Sequence, residues 1–305
     1  MALKISAGRI ARPVKCVIYG SEGIGKSTLA AQLPDPLFID TEGGTAQLDV
    51  RRIETPKNWG ELLADILEVA ATEGICETLV IDTADWAEQL AIDHVCLRNN
   101  VKSIEAFGYG KGYTYVAEEW QRFLSACNTC IAHGINVCVV AHAKMRKQEL
   151  PDETGAFDRW EMKLSRQVAP LLKEWADLLL FLNYKTVVVT TDNNTKKAQG
   201  GTRVMYTTHH PCWDAKNRYG LAEELPLGIE GIAHIFGIEQ KTRPVDALRQ
   251  MMDEAGITEE QLRVLVADKG HYGEDVAIDD YADEFVEKWA IRHFDNIVKT
   301  IKKEA

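Results

Sequence analysis

The feature that most constrains this chain is a glycine-containing stretch at residues 20–28, which reads G-S-E-G-I-G-K-S-T. Its glycines permit backbone conformations in which successive N–H groups turn inward around phosphate oxygens. In this spacing the lysine reaches the outer phosphates of a nucleoside triphosphate, and the hydroxyl after it coordinates Mg²⁺. The candidate nucleotide-binding residues are Gly20, Ser21, Glu22, Gly23, Ile24, Gly25, Lys26, Ser27 and Thr28.

The segments on either side of this phosphate loop, residues 20–28, strengthen the assignment. Residues 14–19 are rich in β-branched and apolar side chains and predict a buried strand, while residues 27–33 predict a short helix that ends before Pro34. A strand, a glycine loop and a helix in this order are typical of a phosphate site, whereas a fortuitous glycine turn lacks such neighbours. We therefore expect ATP and Mg²⁺ as cofactors.

Length and composition narrow the class of protein. A chain of 305 residues with 46% hydrophobic and 27% charged residues can form one large α/β domain with a small appendage. No apolar run approaches the ~20 residues that a membrane span needs, and the first residues lack a signal-peptide pattern, so a cytoplasmic protein is expected. The net charge of −11 argues against a uniformly basic nucleic-acid-binding surface, and any such contact must come from local patches.

Acidic residues follow two further apolar segments that predict strands. Residues 36–40 lead into Glu42, the candidate general base that orients an attacking water, although a solvated turn would show the same pattern. Residues 78–82 end in Asp82, which we expect to bind Mg²⁺ together with Ser27. The alternation of strands and helices predicts an α/β fold whose mostly parallel sheet is covered by helices on both faces.

His142 ends the next predicted strand, residues 136–142. A polar side chain at that point can sense the γ-phosphate and pass its presence to the segment that follows. A histidine packed in the core is the alternative.

Two segments are candidates for contact with nucleic acid. Residues 107–115 alternate aromatic residues and glycine around a lysine, which suits a mobile loop that stacks bases, although packed tyrosines in a helix-to-helix connection fit equally. Residues 143–163 predict a long loop with several cations. The candidate DNA-binding residues are Phe107, Tyr109, Lys111, Tyr113, Lys144, Arg146 and Lys147.

Two cations near the end of the predicted core, Lys216 and Arg218, could reach the γ-phosphate held by a neighbouring subunit, although ordinary surface cations are the simpler reading. From residue 237 the composition changes to short acidic amphipathic helices. We therefore predict an ATPase core at residues 1–236 and a small helical C-terminal domain at residues 237–305.

The order of these motifs resembles that of RecA-type ATPases. The resemblance implies that Glu42 activates water and that the loops after the third and fourth strands bind DNA. It also places His142 at the position where that family mostly carries glutamine. It further implies that Lys216 or Arg218 completes the site of the next subunit.

Two longer motifs resemble a narrower group, the phage-encoded RecA-like single-strand annealing ATPases. They are G-Y-G-K-G-Y at residues 108–113 and D-A-K-N-R-Y-G-L at residues 214–221, and the likeness covers residues 14–227. It implies an ATPase coupled to single-stranded DNA that assembles into a homo-oligomeric ring or filament and anneals strands in recombination. A hexameric helicase-like motor would share the nucleotide residues. A nucleotide-dependent scaffold is the other alternative, with a C-terminal domain that recruits single-strand-binding or replication proteins.

Overall fold

The computed structural model describes residues 7–8, 10–149, 155–190, 196–239 and 243–304. The chain divides into two compact units, Met1–Ile238 and Glu239–Ala305. The phosphate loop and every candidate site residue belong to the first unit.

Ten strands are present in the described part of the first unit. In chain order, β1 to β10 are Lys15–Gly20, Pro36–Asp40, Arg51–Ile53, Thr78–Asp82, Asn136–Glu149, Ala156–Met162, Leu178–Thr190, Lys196–Tyr206, Lys216–Asn217 and Glu224–Pro226. The main sheet has the order β10-β8-β7-β1-β5-β4-β2-β3, with β6 added to β5 and β9 to β7. Strands β3, β2, β4, β5, β1 and β7 are parallel, and β8 and β10 join antiparallel at one edge.

Helices cover both faces of this sheet. The helices α1 to α5 are Lys26–Ala30, Trp59–Ala71, Ala84–Arg98, Lys111–Ala132 and Val168–Trp175. Along β1, Val17 and Tyr19 pack into the apolar cluster formed with α2 to α5, while Cys16 and Ile18 pack into the cluster that contains α1. A strand buried on both faces explains the continuous apolar sequence, and the predicted mostly parallel sheet covered by helices is confirmed.

The first corrected prediction concerns the mobile loop at residues 107–115, which is instead the helix-to-helix connection that fitted the sequence equally well. A short 3-10 helix, Ile104–Phe107, is followed by a tight turn, and α4 then begins at Lys111. Gly112 serves packing here, since a Cβ atom on it would lie 2.7 Å from the backbone oxygen of Ile104. The glycines that suggested mobility therefore allow a close contact between two helical segments.

The second corrected prediction concerns residues 143–163, which form most of a β-hairpin rather than an irregular loop. Strand β5 continues beyond the core to Glu149 and pairs antiparallel with β6, from Ala143 opposite Met162 to Glu149 opposite Ala156. Residues 150–154, between the two strands in the sequence, lie outside the described residues. The predicted loop cations of this segment are thus placed on strands, where alternate side chains share a face.

The second unit has an apolar core of its own. Its helices α6 to α9 are Pro244–Ala255, Glu259–Asp268, Asp283–Phe285 and Phe294–Glu304. Leu248, Leu262, Val286 and Ile297 are among the buried residues of this cluster. No helix in the described ranges of either unit is long and apolar enough to cross a membrane.

Candidate nucleotide-binding site

The phosphate loop leaves the sheet at the carboxyl end of β1, where ligands bind in open α/β sheets. Gly23 and Gly25 have φ angles of +70° and +112°, a left-handed conformation that other residues rarely adopt. A Cβ atom on Gly20 would lie 2.5 Å from the Leu182 carbonyl oxygen, so the start of the loop also requires glycine. The sequence thus folds these residues into a cradle of exposed backbone.

Lys26 opens α1 and is 6% exposed. Its Nζ atom donates a hydrogen bond to the Ser21 carbonyl oxygen at 2.9 Å. Burial lowers the pKa of Lys26, while the nearby carboxylates of Asp82 and Asp85 act in the opposite direction. An ammonium group carries three donors, so Lys26 has donors left for phosphate oxygens.

Asp82 ends β4 and is 5% exposed. Burial raises its pKa, a hydrogen bond from Ser27 opposes that shift, and the neighbouring Asp40 and Glu42 carboxylates raise it further. Several carboxylates close together in a partly desolvated site favour a divalent cation. The Ser27 hydroxyl and the Asp82 carboxylate are hard oxygen ligands, so this donor set fits Mg²⁺.

Glu42 lies in a segment that is organised by Asp40. The Asp40 carboxylate accepts hydrogen bonds from the backbone N–H groups of Glu42, Gly43 and Gly44 and from Thr45. Burial alone would raise the pKa of Asp40, but these hydrogen bonds lower it on balance. The segment is therefore held by an ionised carboxylate, and the Glu42 side chain is left at the cavity.

His142 lies opposite Glu42 in the part of β5 next to the cavity. Its Nε2 atom is 3.9 Å from Glu42 Oε2, and its Nδ1 atom is 3.0 Å from Asp85 Oδ2. The imidazole therefore bridges the candidate general base and a second, buried carboxylate.

These side chains share one open cavity of about 430 Å³. Its lining combines most of the phosphate loop with the predicted catalytic residues. It comprises Glu22, Gly23, Gly25, Lys26, Ser27, Thr28, Asp40, Glu42, Gly44, Gln47, Leu48, Asp82, Thr83 and His142. Ile24, by contrast, is fully buried in the core next to α1.

Lys216 and Arg218 lie away from this cavity. Arg218 pairs with Asp177 at 2.8 Å, and the Asp177 backbone N–H donates to Lys15 at the start of β1. The phosphate loop begins at the other end of β1, about 16 Å away at 3.3 Å per residue. Lys216 Nζ donates to the carbonyl oxygen of Glu174 at 2.9 Å. Neither cation can therefore act on a nucleotide held by its own chain.

Three of the predicted DNA-binding residues come together in a second cavity of about 500 Å³. We call this cavity the basic groove, and it is lined by Tyr113, Lys144, Met145, Arg146, Ser165, Arg166 and Gln167. The other predicted residues lie outside it. Phe107 packs against Tyr115, Tyr109 is fully exposed, Lys111 is exposed at the start of α4, and Lys147 is exposed on β5.

Three residues near these cavities were not predicted. Asp85 follows Asp82 by three positions, and that spacing at the start of a helix was the available signal. Arg203 donates to the Ile24 carbonyl oxygen of the phosphate loop at 3.3 Å from strand β8. Arg166 joins the basic groove from the segment before α5. The contacts of Arg203 and Arg166 are distant in sequence and leave no local pattern.

A glycine loop after β1, a buried Lys26, and Asp82 on a strand separated from β1 by β5 define a P-loop nucleoside triphosphatase. Residues 12–219 match the family model of the AAA domain, AAA_24, and the chain belongs to this family. Members of the P-loop class bind nucleoside triphosphates, usually with Mg²⁺.

Among known proteins, the chain is similar to the SPbeta prophage-derived uncharacterized protein YorG of Bacillus subtilis (strain 168). The two are 24% identical over 174 residues, which is 54% of this chain. The chain spans about half of that relative, 49% of its length. A KaiC-like protein, PH0186 from Pyrococcus horikoshii OT3, matches with a TM-score of 0.40 and 13% identity over 72% of this chain and 88% of the other.

Proposed function

We propose that this protein is an ATP-dependent single-stranded-DNA-binding protein that oligomerises and anneals complementary strands. The observation that supports DNA binding most directly is the basic groove. It combines three cations, one of which (Arg146) also pairs with Glu161 at 3.6 Å, with the ring of Tyr113 and the exposed side chain of Met145.

This lining suits an unpaired nucleic-acid strand. Cations contact the backbone phosphates, and an aromatic ring stacks on a base of any identity. Lys144 and Arg146 are two positions apart on β5 and so share a face of the hairpin. Because every base offers a stacking face, we expect weak sequence preference.

ATP hydrolysis would use the residues of the nucleotide cavity. Lys26 binds the outer phosphates, and Ser27 with Asp82 holds Mg²⁺, which neutralises charge on the phosphates. Glu42 takes a proton from the attacking water. Lys216 or Arg218 would serve the site of a neighbouring protomer, since neither reaches its own.

The groove is tested by measuring single-strand affinity by fluorescence anisotropy for Tyr113→Ala and Arg166→Ala. Loss of one stacked base should weaken binding by about 1–3 kcal/mol, roughly 5- to 150-fold. With three phosphate contacts, log affinity should fall with log salt at a slope of about −2, and Arg166→Ala should flatten that slope by about 0.7. Lys57→Ala, an exposed lysine paired with Glu54, is the control and should bind as wild type.

Assays of strand pairing and strand displacement with the purified protein distinguish annealing from unwinding. An annealing protein should accelerate pairing of complementary oligonucleotides and leave a forked duplex intact, whereas strand displacement would indicate a motor. If Tyr113→Ala and Arg166→Ala bind DNA like Lys57→Ala, the groove does not bind DNA and this proposal fails.

A further inference from the structure

Asp85 is an acidic residue next to the nucleotide cavity, in contact with His142, and no motif assigns it a role. It lies in the first turn of α3, and its side chain is 8% exposed. Its carboxylate accepts from His142 Nδ1 at 3.0 Å and from the His142 backbone N–H at 3.1 Å. Burial raises the pKa of Asp85, but the hydrogen bonds from His142 outweigh this and keep the pKa below its usual value.

These two bonds fix the direction of the imidazole. A nitrogen bonded to a carboxylate carries the proton, so Nδ1 of His142 is the N–H donor. The other nitrogen, Nε2, then faces the cavity, 3.9 Å from Glu42 Oε2. A water at about 2.8 Å from both atoms fits this separation.

We propose that Asp85 is a positioning residue for ATP hydrolysis, holding His142 so that its Nε2 and the Glu42 carboxylate together orient the attacking water. This inference rests on the proposed role of Glu42. The water oxygen bonds to the γ-phosphorus, the bond from phosphorus to the β–γ bridging oxygen breaks, and ADP leaves with that electron pair. One water proton passes to Glu42. Asp85 touches none of the reacting atoms.

The test is the steady-state ATPase of Asp85→Asn without DNA. An amide can donate to Nδ1, which favours the tautomer with hydrogen on Nε2, so the ring no longer accepts from water. Loss of an orienting partner of this kind typically costs about 10- to 100-fold in activity. We expect that loss in kcat, with KM for ATP within about twofold of wild type.

Glu88→Gln is the matched control. Glu88 lies one turn further along α3, is 6% exposed, and accepts from the Ser165 backbone N–H at 3.0 Å without contacting His142. The kcat of Glu88→Gln should equal that of wild type. If the substitutions acted only by destabilising α3 and its surroundings, both variants would lose activity. If Asp85→Asn does not fold, Asp85→Ala gives the same kcat test, since it also removes the acceptor of His142 Nδ1.

A double-mutant cycle decides whether Asp85 acts through His142. In a His142→Ala background, Asp85→Asn should lower kcat no further. Independent losses that multiply, or a wild-type kcat for Asp85→Asn, would overturn the inference while leaving the role of Glu42 standing. A wild-type kcat for Glu42→Gln would instead refute the proposed general base, and the inference with it.

Discussion

Asp40→Asn should loosen the segment that carries Glu42, because one carboxylate there satisfies five donors. Oδ1 accepts from Glu42, Gly43 and Gly44 backbone N–H groups at 3.1, 2.7 and 3.2 Å. Oδ2 accepts from the backbone N–H and the hydroxyl of Thr45 at 2.9 and 2.6 Å. The asparagine amide keeps one acceptor oxygen but presents an NH₂ group to the donors of Thr45.

The size of the effect follows from the burial of Thr45, which is fully inaccessible to solvent. A buried N–H group left without an acceptor costs about 1–3 kcal/mol. The remaining hydrogen bonds become weaker because they go to a neutral oxygen instead of an ionised one, which costs about 1 kcal/mol more. We expect a loss of about 2–4 kcal/mol in the free energy of unfolding, and a lower kcat because Glu42 is displaced.

The stabilising effect of the Asp40 carboxylate should also depend on pH, and the direction of that dependence follows from its pKa. The pKa of Asp40 is lowered in the folded state, so its contribution is present above the unfolded pKa near 3.9 and is lost as pH falls through the folded pKa. The difference in stability between wild type and Asp40→Asn should therefore be constant from about pH 7 to 5. Below about pH 4 it should shrink.

Urea unfolding of both proteins across this pH range measures the difference, with Asp49→Asn as the control. Asp49 is an exposed carboxylate in the same segment, and its substitution should change stability by less than about 0.5 kcal/mol. The urea m-value should stay constant, since the surface exposed on unfolding is unchanged. If Asp40→Asn behaves like Asp49→Asn at pH 7, these hydrogen bonds do not stabilise the segment.

Two further predictions concern the nucleotide itself. Lys26→Ala should reduce ATP turnover about 100-fold or more, and unaltered hydrolysis would reject the phosphate-loop assignment. If Arg218, rather than Lys216, serves the neighbouring site, Arg218→Ala should be inactive alone and should regain activity when mixed with Lys26→Ala, because a mixed interface then contains one intact Lys26 and one intact Arg218. Arg12→Ala is the control, since Arg12 pairs with Asp177 at the same 2.8 Å and should keep full activity. Mixtures of an inactive Arg218→Ala with Lys26→Ala that stay inactive would exclude Arg218 as the residue that completes a neighbour's site.

The predicted site residues that share the nucleotide cavity are those indicated by local spacing. The phosphate loop places its glycines, Lys26 and Ser27 within nine residues, between a strand and a helix. Asp82 follows an apolar run that can only be a buried strand in this order of elements. Because parallel strands end at the same edge of a sheet, the carboxylates were expected to lie near the loop.

The predictions that failed depend on packing and strand pairing that residue composition does not reveal. Gly112 is required because Ile104 approaches its backbone, which no local pattern reveals. Charged and apolar residues alternate only over residues 143–146 after His142, too briefly to indicate a strand, and a long segment without clear periodicity predicts a loop. The spacing of Asp82 and Asp85 was visible in the sequence, but the contact of Asp85 with His142 was not, since His142 lies on strand β5, 57 positions away.

Strand β5 carries residues of both the nucleotide cavity and the basic groove, so a structural change at one cavity can reach the other along this strand. It carries His142 at the nucleotide cavity and Lys144 and Arg146 at the basic groove, about 7 and 13 Å further along at 3.3 Å per residue. The three residues share one face of the strand, and β6 pairs with it as far as Glu149. A paired strand transmits a displacement that a flexible loop would absorb. If the basic groove binds DNA as proposed, a shift of His142 on γ-phosphate release should also displace Lys144 and Arg146 on the same strand.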